Sequence, residues 1–213
     1  MLRPAAAHTR ARSDGRGRAD LAVGSAARDS RNVRKPILLA GTTVAIAALL
    51  MGSLRAFGTE SVAFAFAVVW LPMTWLGTVS HIVPVRLPEA CHSLRRFEQD
   101  GRLYERLGVR LVKRLLRRGP LALFNPGLHL PAERTPETLT RLENRMRAAE
   151  ASHLILFVLS LSIVAHGAVR GWWSAASSTL LFNVLVNGYP VMLQRYNRIL
   201  LRRRFGTSSF GAS

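Results

Sequence analysis

The sequence predicts an all-α membrane protein with four transmembrane helices and a cytoplasmic loop that carries an interfacial amphipathic helix. Three observations support this fold class. Of the 213 residues, 49% are hydrophobic, and they fall into long blocks rather than at the spacing of a soluble core. Four of these blocks are about as long as a bilayer crossing requires. Lys and Arg outnumber Asp and Glu by 30 to 12, and they fill the gaps between the blocks, as in polytopic membrane proteins.

The four predicted spans cover residues 36–54, 61–85, 151–169 and 171–193. The first has 19 residues without a charge, about 28 Å at 1.5 Å per residue. A secretory signal peptide is the competing interpretation of this block, but its basic leader is unusually long, so we expect a retained span. Only Arg170 separates the last two spans, which predicts a helical hairpin.

The distribution of basic residues predicts the orientation. Residues 1–35 hold nine Lys and Arg, the loop fourteen and the segment from Arg195 five, so 28 of the 30 lie on one side. Because basic residues accumulate on the cytoplasmic side, we expect a multi-pass protein of the cell membrane with both termini in the cytoplasm. Trp172 and Trp173, at the hairpin turn, suit the opposite interface.

The same pattern divides the chain into three parts. Residues 1–35 form a basic tail that we expect to be disordered, because it is rich in Ala, Arg, Gly and Ser and shows no periodicity. Residues 36–204 form the four-span membrane domain with its cytoplasmic loop, 86–150, and residues 205–213 form a C-terminal tail. The net charge of +18 also suits nucleic-acid binding. No RNA-binding or helix-turn-helix pattern accompanies it, so nucleic acid is not an expected partner.

The loop contains a candidate interfacial helix. Its leucines recur at helical spacing on one face, while arginines and Lys113 occupy much of the rest. A basic amphipathic helix of this kind lies in the plane of an anionic leaflet; the alternative is a solvated helix packed on the protein. Further along, Thr135 and Pro136 are placed to cap a helix that runs into the third span. The leucines are Leu103, Leu107, Leu111, Leu115 and Leu116.

Polar residues gather at the cytoplasmic ends of the last two spans, where they are costly to bury. Glu150 and His153 share a helix face, and a carboxylate beside an imidazole suits an orienting group and a general base. We therefore predict that both are catalytic, with His153 as the base, and that they face Arg195 and Asn197 across a cleft open to lipid. The alternative is helix-to-helix hydrogen bonds and ordinary interfacial anchors. The predicted substrate-binding residues are Asn187, Gln194, Arg195, Tyr196, Asn197 and Arg198.

Other candidate chemistry is weaker. Cys91 and His92 could form a thiol nucleophile and its base, but neighbouring side chains rarely point at each other, so a plain loop pair is expected. Glu150 and His153 supply two metal ligands and no third at a known spacing, so we predict no metal site. No cofactor motif is present either, since the sequence contains no Gly-rich phosphate loop.

Three segments carry a resemblance to a known family. "FEQDGRLYERLGVRLVKRLL" in the loop is similar to an Asn-Gly-x-x-Tyr-Glu region, and "NRMRAAEASH" to an Arg-Ala-Glu-x-x-His segment. "NGYPVMLQRYNRILLRR" is similar to an ending of the form Asn-x-x-Pro followed by Gln-Arg-Tyr-Asn-Arg. Together they cover about residues 61–204. The family that these segments resemble is that of the glycosyl-4,4'-diaponeurosporenoate acyltransferases, small integral membrane proteins of carotenoid biosynthesis.

The resemblance implies transfer of a fatty acyl group to a sugar hydroxyl of a glycosylated lipid, a carotenoid glycoside in the family. The implied partners are membrane lipid, the glycosylated acceptor and an acyl donor; the positive charge of the loop suggests acyl-coenzyme A as that donor. The alternative function is a non-catalytic membrane scaffold or lipid-binding protein of an envelope or carotenoid pathway, which needs the same spans and arginines but no general base.

The orientation gives the first testable prediction. Reporter fusions after Phe57 and Arg170 are expected to behave as exported, and fusions after Arg118 and Ser213 as cytoplasmic, because of the charge asymmetry. The measurement is paired alkaline phosphatase and fluorescent-protein activity at each junction. An exported Arg118 fusion would overturn the four-span topology.

Overall fold

The computed structural model describes residues 35–80, 82–83, 85–118 and 134–206. Nearly all of the predicted N-terminal tail, part of the loop (119–133) and residues 207–213 lie outside the described residues. Helices supply the regular secondary structure of the described part, which confirms the all-α prediction. A 3₁₀ turn lies at Arg96–Glu98 and a π-helical turn at Val184–Gly188. The α-helices are α1 (Lys35–Phe57), α2 (Val62–Ser80), α3 (Glu89–His92), α4 (Arg102–Arg106), α5 (Val109–Arg118), α6 (Pro136–Val169), α7 (Trp173–Asn183) and α8 (Tyr189–Phe205).

Four helices are long and apolar enough to cross a membrane, as the sequence predicts. They are α1, α2, α6 and the continuous helix Trp173–Phe205, which consists of α7, the π turn and α8. The second ends at Ser80, five residues before the predicted boundary, and the last two extend well beyond their predicted apolar segments. Those two extensions carry most of the charged residues described below.

The packing described here is that of residues 46–213. The helix α6 packs antiparallel against α7 and α8, and α2 packs against α6 and α7. The hairpin is tight at its turn, where a Cβ added to Gly167 would lie 3.5 Å from the Cβ of Ala176. Small residues of this kind let helix backbones approach closely in membranes. Beside the turn, the rings of His166 and Trp172 lie 5.9 Å apart.

The start of α6 confirms the predicted cap. The Thr135 side chain accepts a hydrogen bond from the Thr138 N–H, and Pro136 is the first helical residue, where a missing N–H costs nothing. The helix has 34 residues, about 51 Å at 1.5 Å per residue, against a hydrocarbon thickness of about 30 Å. The helix is therefore longer than one crossing requires, and all of its Glu and Arg residues lie before Ala151.

The π turn interrupts the last long helix and ends two residues before Pro190. Proline has no N–H, and its ring crowds the preceding turn of an α-helix. The widened turn Val184–Gly188 lies at that position and relieves the conflict. Gly188 lies close to α6, because an added Cβ would be 3.3 Å from the ring of Phe157. The buried Asn187 belongs to this turn.

The amphipathic stretch of the loop is broken into shorter pieces rather than forming one helix. Gly101 and Gly108 have φ angles of 68° and 77°, in the left-handed region that suits glycine, and they separate the 3₁₀ turn, α4 and α5. Leu116 packs into the cluster around Tyr196, so it does not belong to the exposed face. The remaining leucines stay between 37% and 58% exposed: Leu103, Leu107, Leu111 and Leu115.

That exposed leucine row gives the second prediction. If the row lies in the leaflet, a cysteine at Leu111 in a Cys91→Ser background should react with a membrane-impermeant maleimide at least roughly tenfold more slowly than one at the exposed Arg114, since the reagent stays in water. The measurement is labelling in sealed inverted vesicles, followed by mass spectrometry. Equal rates at both positions would show that the row is solvated.

Candidate functional site

Three buried carboxylates and three arginines meet where the N-terminal part of α6 lies beside the C-terminal part of α8. Glu98 lies in the 3₁₀ turn, and Glu143 and Glu150 lie two turns apart on α6. Their exposed fractions are 6%, 3% and 0%. The arginines recur at one-turn and two-turn spacings on α8, so they share a face. We call this group the ion-pair cluster: Glu98, Glu143, Glu150, Arg195, Arg198 and Arg202.

Glu150 lies at the centre of the cluster. Arg195 Nε donates to one of its carboxylate oxygens at 2.8 Å, and Arg198 Nη1 donates to the other at 2.7 Å. His92 Nδ1 lies 3.5 Å from the second oxygen. A buried charge is tolerated when it is paired and hydrogen-bonded, and both oxygens of Glu150 satisfy that condition.

The two arginines also hold the loop against the helices. Arg195 Nη1 donates to Glu98 at 2.9 Å, and its Nη2 donates to the Cys91 carbonyl at 2.6 Å. Arg198 Nη2 donates to the His92 carbonyl at 2.8 Å. Each planar guanidinium thus joins a carboxylate on α6 to the loop backbone, a geometry that lysine cannot reproduce.

Glu98 ties the loop to itself as well. It accepts hydrogen bonds from the Tyr104 hydroxyl at 2.6 Å and from the Arg95 N–H at 2.7 Å. Burial pushes the pKa of Glu98 upward, but these hydrogen bonds and the Arg195 charge outweigh it, so the pKa lies below its usual value. Burial, followed by the hydrogen bond to Glu98, raises the pKa of Tyr104. Glu98 therefore carries a charge and Tyr104 keeps its proton at neutral pH.

Glu143 anchors the outer end of the cluster. Arg202 Nη2 donates to it at 2.6 Å and Arg147 Nη2 at 3.1 Å, while Arg198 Nε lies 3.5 Å away. Arg147 also pairs with Glu89 of α3. The cluster thus runs along two turns of α6 and α8 and connects both helices to two segments of the loop.

His153 belongs to a separate chain of hydrogen bonds. Its Nδ1 lies 3.3 Å from Oδ1 of Asn187, whose Nδ2 donates to Oδ1 of Asn183 at 2.9 Å. Asn183 Nδ2 in turn donates to the carbonyl of Phe157 at 2.9 Å. Both asparagines are fully buried. The hydrogen bonds therefore run from α6 to the π turn, then to Asn183 at the end of α7, and back to α6.

The structure pairs the predicted residues differently from the expected cleft. Arg195 does meet Glu150, but His153 meets Asn187 and Asn197 accepts a hydrogen bond from Lys113 at 2.7 Å. Glu150 is fully buried instead of lining an open cleft. The guanidinium groups of Arg195 and Arg198 surround its carboxylate and take the place of solvent. Within the described part of the chain, no hydrogen bond joins Glu150 to His153.

Some of the remaining predicted binding residues hydrogen-bond to other residues of the protein, and one has no such partner among the described residues. The Tyr196 hydroxyl donates to Glu105 at 2.9 Å and accepts from Arg110 Nε at 3.2 Å, which docks the loop on α8. Arg198 belongs to the ion-pair cluster. Gln194 is half-buried, and its side chain has no hydrogen-bond partner among the described residues. The assignment of these residues to substrate binding stays a prediction.

Sequence reasoning missed Glu98, Glu143 and His92. The first lies in a loop segment that the sequence marks only as amphipathic, and its partner in the ion-pair cluster, Arg195, is 97 residues away along the chain. Glu143 could have been found, because it lies seven residues before Glu150 and so shares its helix face. His92 was considered only with Cys91, whereas its imidazole lies beside Glu150.

In the described part of the chain, four helices of transmembrane length define a polytopic membrane protein. Its polar site consists of the ion-pair cluster and His153, and it lies between the N-terminal part of α6 and the last long helix. Comparison with known protein families makes this more specific. The glycosyl-4,4'-diaponeurosporenoate acyltransferase family matches residues 88–206, and the chain belongs to that family. The resemblance read from the sequence is thereby confirmed. Comparisons with curated proteins and with solved structures find no match.

The guanidinium of Arg195 gives the third prediction. Arg195→Lys is expected to lower the free energy of unfolding by about 3 kcal/mol, the scale of two lost charge-assisted hydrogen bonds, because an ammonium cannot reach all three partners. The measurement is denaturant unfolding in detergent micelles, with Arg204→Lys, an exposed position on the same helix, as the control. Equal stability of the two variants would contradict the prediction.

Proposed function

We propose that the protein transfers a fatty acyl group from a thioester donor to a sugar hydroxyl of a glycosylated membrane lipid, a carotenoid glycoside, on the cytoplasmic side of the cell membrane. The observation that carries this proposal is the match to an acyltransferase family over residues 88–206, a range that contains the ion-pair cluster and His153.

His153 is the general base of the proposal because its hydrogen bonds favour one tautomer. A carbonyl only accepts, so the amide nitrogen of Asn183 must face Phe157 and its oxygen must face Asn187. Asn187 therefore presents its own oxygen to His153, and Nδ1 of the imidazole carries the proton. The lone pair of the neutral ring is then on Nε2, where it can accept a proton from a hydroxyl.

Glu150 serves as a positioning residue rather than as the base. Its two oxygens accept hydrogen bonds from Arg195 and Arg198, and the residue is fully buried, so it does not face a substrate hydroxyl. It lies one helical turn before His153. Holding α6 and α8 together at that level fixes the depth and direction of the imidazole.

The proposed reaction needs one proton transfer and one bond exchange. His153 Nε2 takes the proton of the sugar hydroxyl while its oxygen attacks the acyl carbonyl carbon. The tetrahedral intermediate collapses, the carbon–sulfur bond of the thioester breaks, and the thiolate leaves. The imidazolium then returns its proton to the thiolate, so the products are an ester and a free thiol.

Gln194 is the residue of α8 best placed to hold the acceptor sugar. It lies seven residues after Asn187, so the two side chains fall on nearly the same helix face about 10 Å apart along the axis. Because its amide has no partner among the described residues, it can hydrogen-bond a hydroxyl. The apolar chain of the acceptor is then accommodated between the transmembrane helices. Tyr196 and Asn197 contribute by holding the loop.

A second candidate function, a non-catalytic scaffold, is favoured by one observation. Arg195, Arg198 and Arg202 each pair with a carboxylate inside the protein, so their charges are neutralised without a substrate. A scaffold needs the cluster but not the lone pair on His153, and this difference separates the two functions experimentally.

The fourth prediction tests the base. His153→Ala is expected to lower acyl transfer by about a hundredfold or more, the usual scale for losing a general base. Glu150→Gln is expected to lower it by a similar factor because the helices lose their fixed register. The assay is transfer of a radiolabelled acyl group to a glycolipid acceptor in membranes that contain equal amounts of each variant.

The matched control is His166→Ala, which removes an exposed imidazole near the opposite end of the same helix. It should transfer at nearly the wild-type rate. His153→Ala should unfold at a higher temperature than Glu150→Gln, because it leaves a buried neutral amide without its partner, whereas Glu150→Gln leaves buried guanidinium charges unpaired. Near-wild-type transfer by His153→Ala would remove this residue from the chemistry and leave the scaffold function standing.

A further inference from the structure

A second polar site lies where residues 85–87 meet the N-terminal part of α6. It is a pocket of about 490 Å³, and its polar lining consists of Arg86, His92, Asn144, Arg145 and Arg147. The proposed acyl transfer uses none of these residues. The pocket adjoins the ion-pair cluster because His92, which forms part of its wall, lies beside Glu150.

Positive charge is available in this pocket. Arg86 and Arg145 are exposed, and neither has an ion-pair or hydrogen-bond partner in the described part of the chain. Arg147 is already neutralised by Glu143 and Glu89. Among the described residues, the carboxylate that faces His92 is that of Glu150, and it is already paired with Arg195 and Arg198. Two arginines without a partner in the described part of the chain therefore line one cavity, together with Asn144.

Such a lining suits a phosphate group. Arginine binds phosphate oxygens through parallel N–H donors, and a nearby amide adds a neutral donor. A neutral sugar does not need two unpaired guanidiniums, so the lining fits the acyl donor better than the acceptor. Arg145 precedes His153 by eight residues, about 12 Å along α6, so a phosphate held here leaves room for a flexible arm to reach the base.

We infer that this pocket binds the phosphate-bearing end of the acyl donor, a thioester of the coenzyme A class, with Arg86 and Arg145 as the phosphate ligands. This inference rests on the proposed function, since it names the site and class of its donor. The same chemistry could come from the headgroup of an anionic lipid. The two sources differ because coenzyme A is a water-soluble ligand, whereas the headgroup belongs to the bilayer.

The test measures binding rather than turnover. The full-length protein is placed in nanodiscs of zwitterionic lipid and titrated with coenzyme A by calorimetry. The double variant Arg86→Gln, Arg145→Gln is expected to bind about a hundredfold more weakly, about tenfold for each charge-assisted contact. The control double variant, Arg96→Gln with Arg141→Gln, loses the same charge at exposed positions outside the pocket and should bind as the wild type does.

Three results would overturn the inference. Wild-type protein that does not bind coenzyme A excludes the site, and equal weakening in both double variants shows general charge attraction instead. The third result concerns nanodiscs that contain phosphatidylglycerol. If the wild type retains this lipid, only the pocket variant loses it, and neither protein binds coenzyme A, the pocket binds a lipid headgroup. Unchanged unfolding temperatures in both variants exclude a folding defect.

Activity separates this inference from the proposed function. Transfer from an acyl N-acetylcysteamine thioester, which has no phosphate, should be equally fast in the wild type and the pocket variant, while transfer from acyl-coenzyme A should be slower in the variant alone. If coenzyme A binds through the pocket but no thioester supports transfer, the proposed function fails while the binding site stands.

Discussion

The carboxylate of Glu150 is the constraint on which the rest of this structure depends. It is fully buried, so its charge is stable only while Arg195 and Arg198 occupy both oxygens. Removing one partner of such a pair typically costs about 3–5 kcal/mol, because the other charge stays buried without compensation. The positions of α6 and α8 relative to each other are therefore specified by a requirement of charge as well as by the fit of apolar surfaces.

The loop obeys the same constraint. Each arginine also donates from Nη2 to a loop carbonyl, Arg195 to that of Cys91 and Arg198 to that of His92, and Arg195 Nη1 donates to Glu98. Buried backbone carbonyls need donors, and here the donors are the groups that neutralise Glu150. The guanidinium groups that neutralise Glu150 thus also hold the loop against α6 and α8. This contact brings His92 beside the Glu150 carboxylate and places the arginine-lined pocket next to the ion-pair cluster.

The sequence predicts the helices well and the contacts less well. Blocks of apolar residues give the four long helices, and Thr135 with Pro136 gives the start of α6, because these signals are local. The same holds for the spacing that puts Glu150 and His153 on one face. The partners are not local: Glu98 meets Arg195 across 97 residues, and no periodicity encodes that pairing. The break at Gly108 was missed because the leucine spacing continues through it, although a left-handed φ interrupts the helix there.

The chain order of these contacts has a consequence for synthesis. Glu98, Glu143 and Glu150 are made before the three arginines of α8 that neutralise them, and the hydrogen bonds to the loop span about a hundred residues. Until α8 emerges from the ribosome and enters the membrane, these carboxylates have no α8 arginine to pair with, and the loop has no helix face to dock on. The last helix therefore completes the domain, and a chain interrupted before Arg195 contains every carboxylate of the cluster but none of its α8 counter-charges.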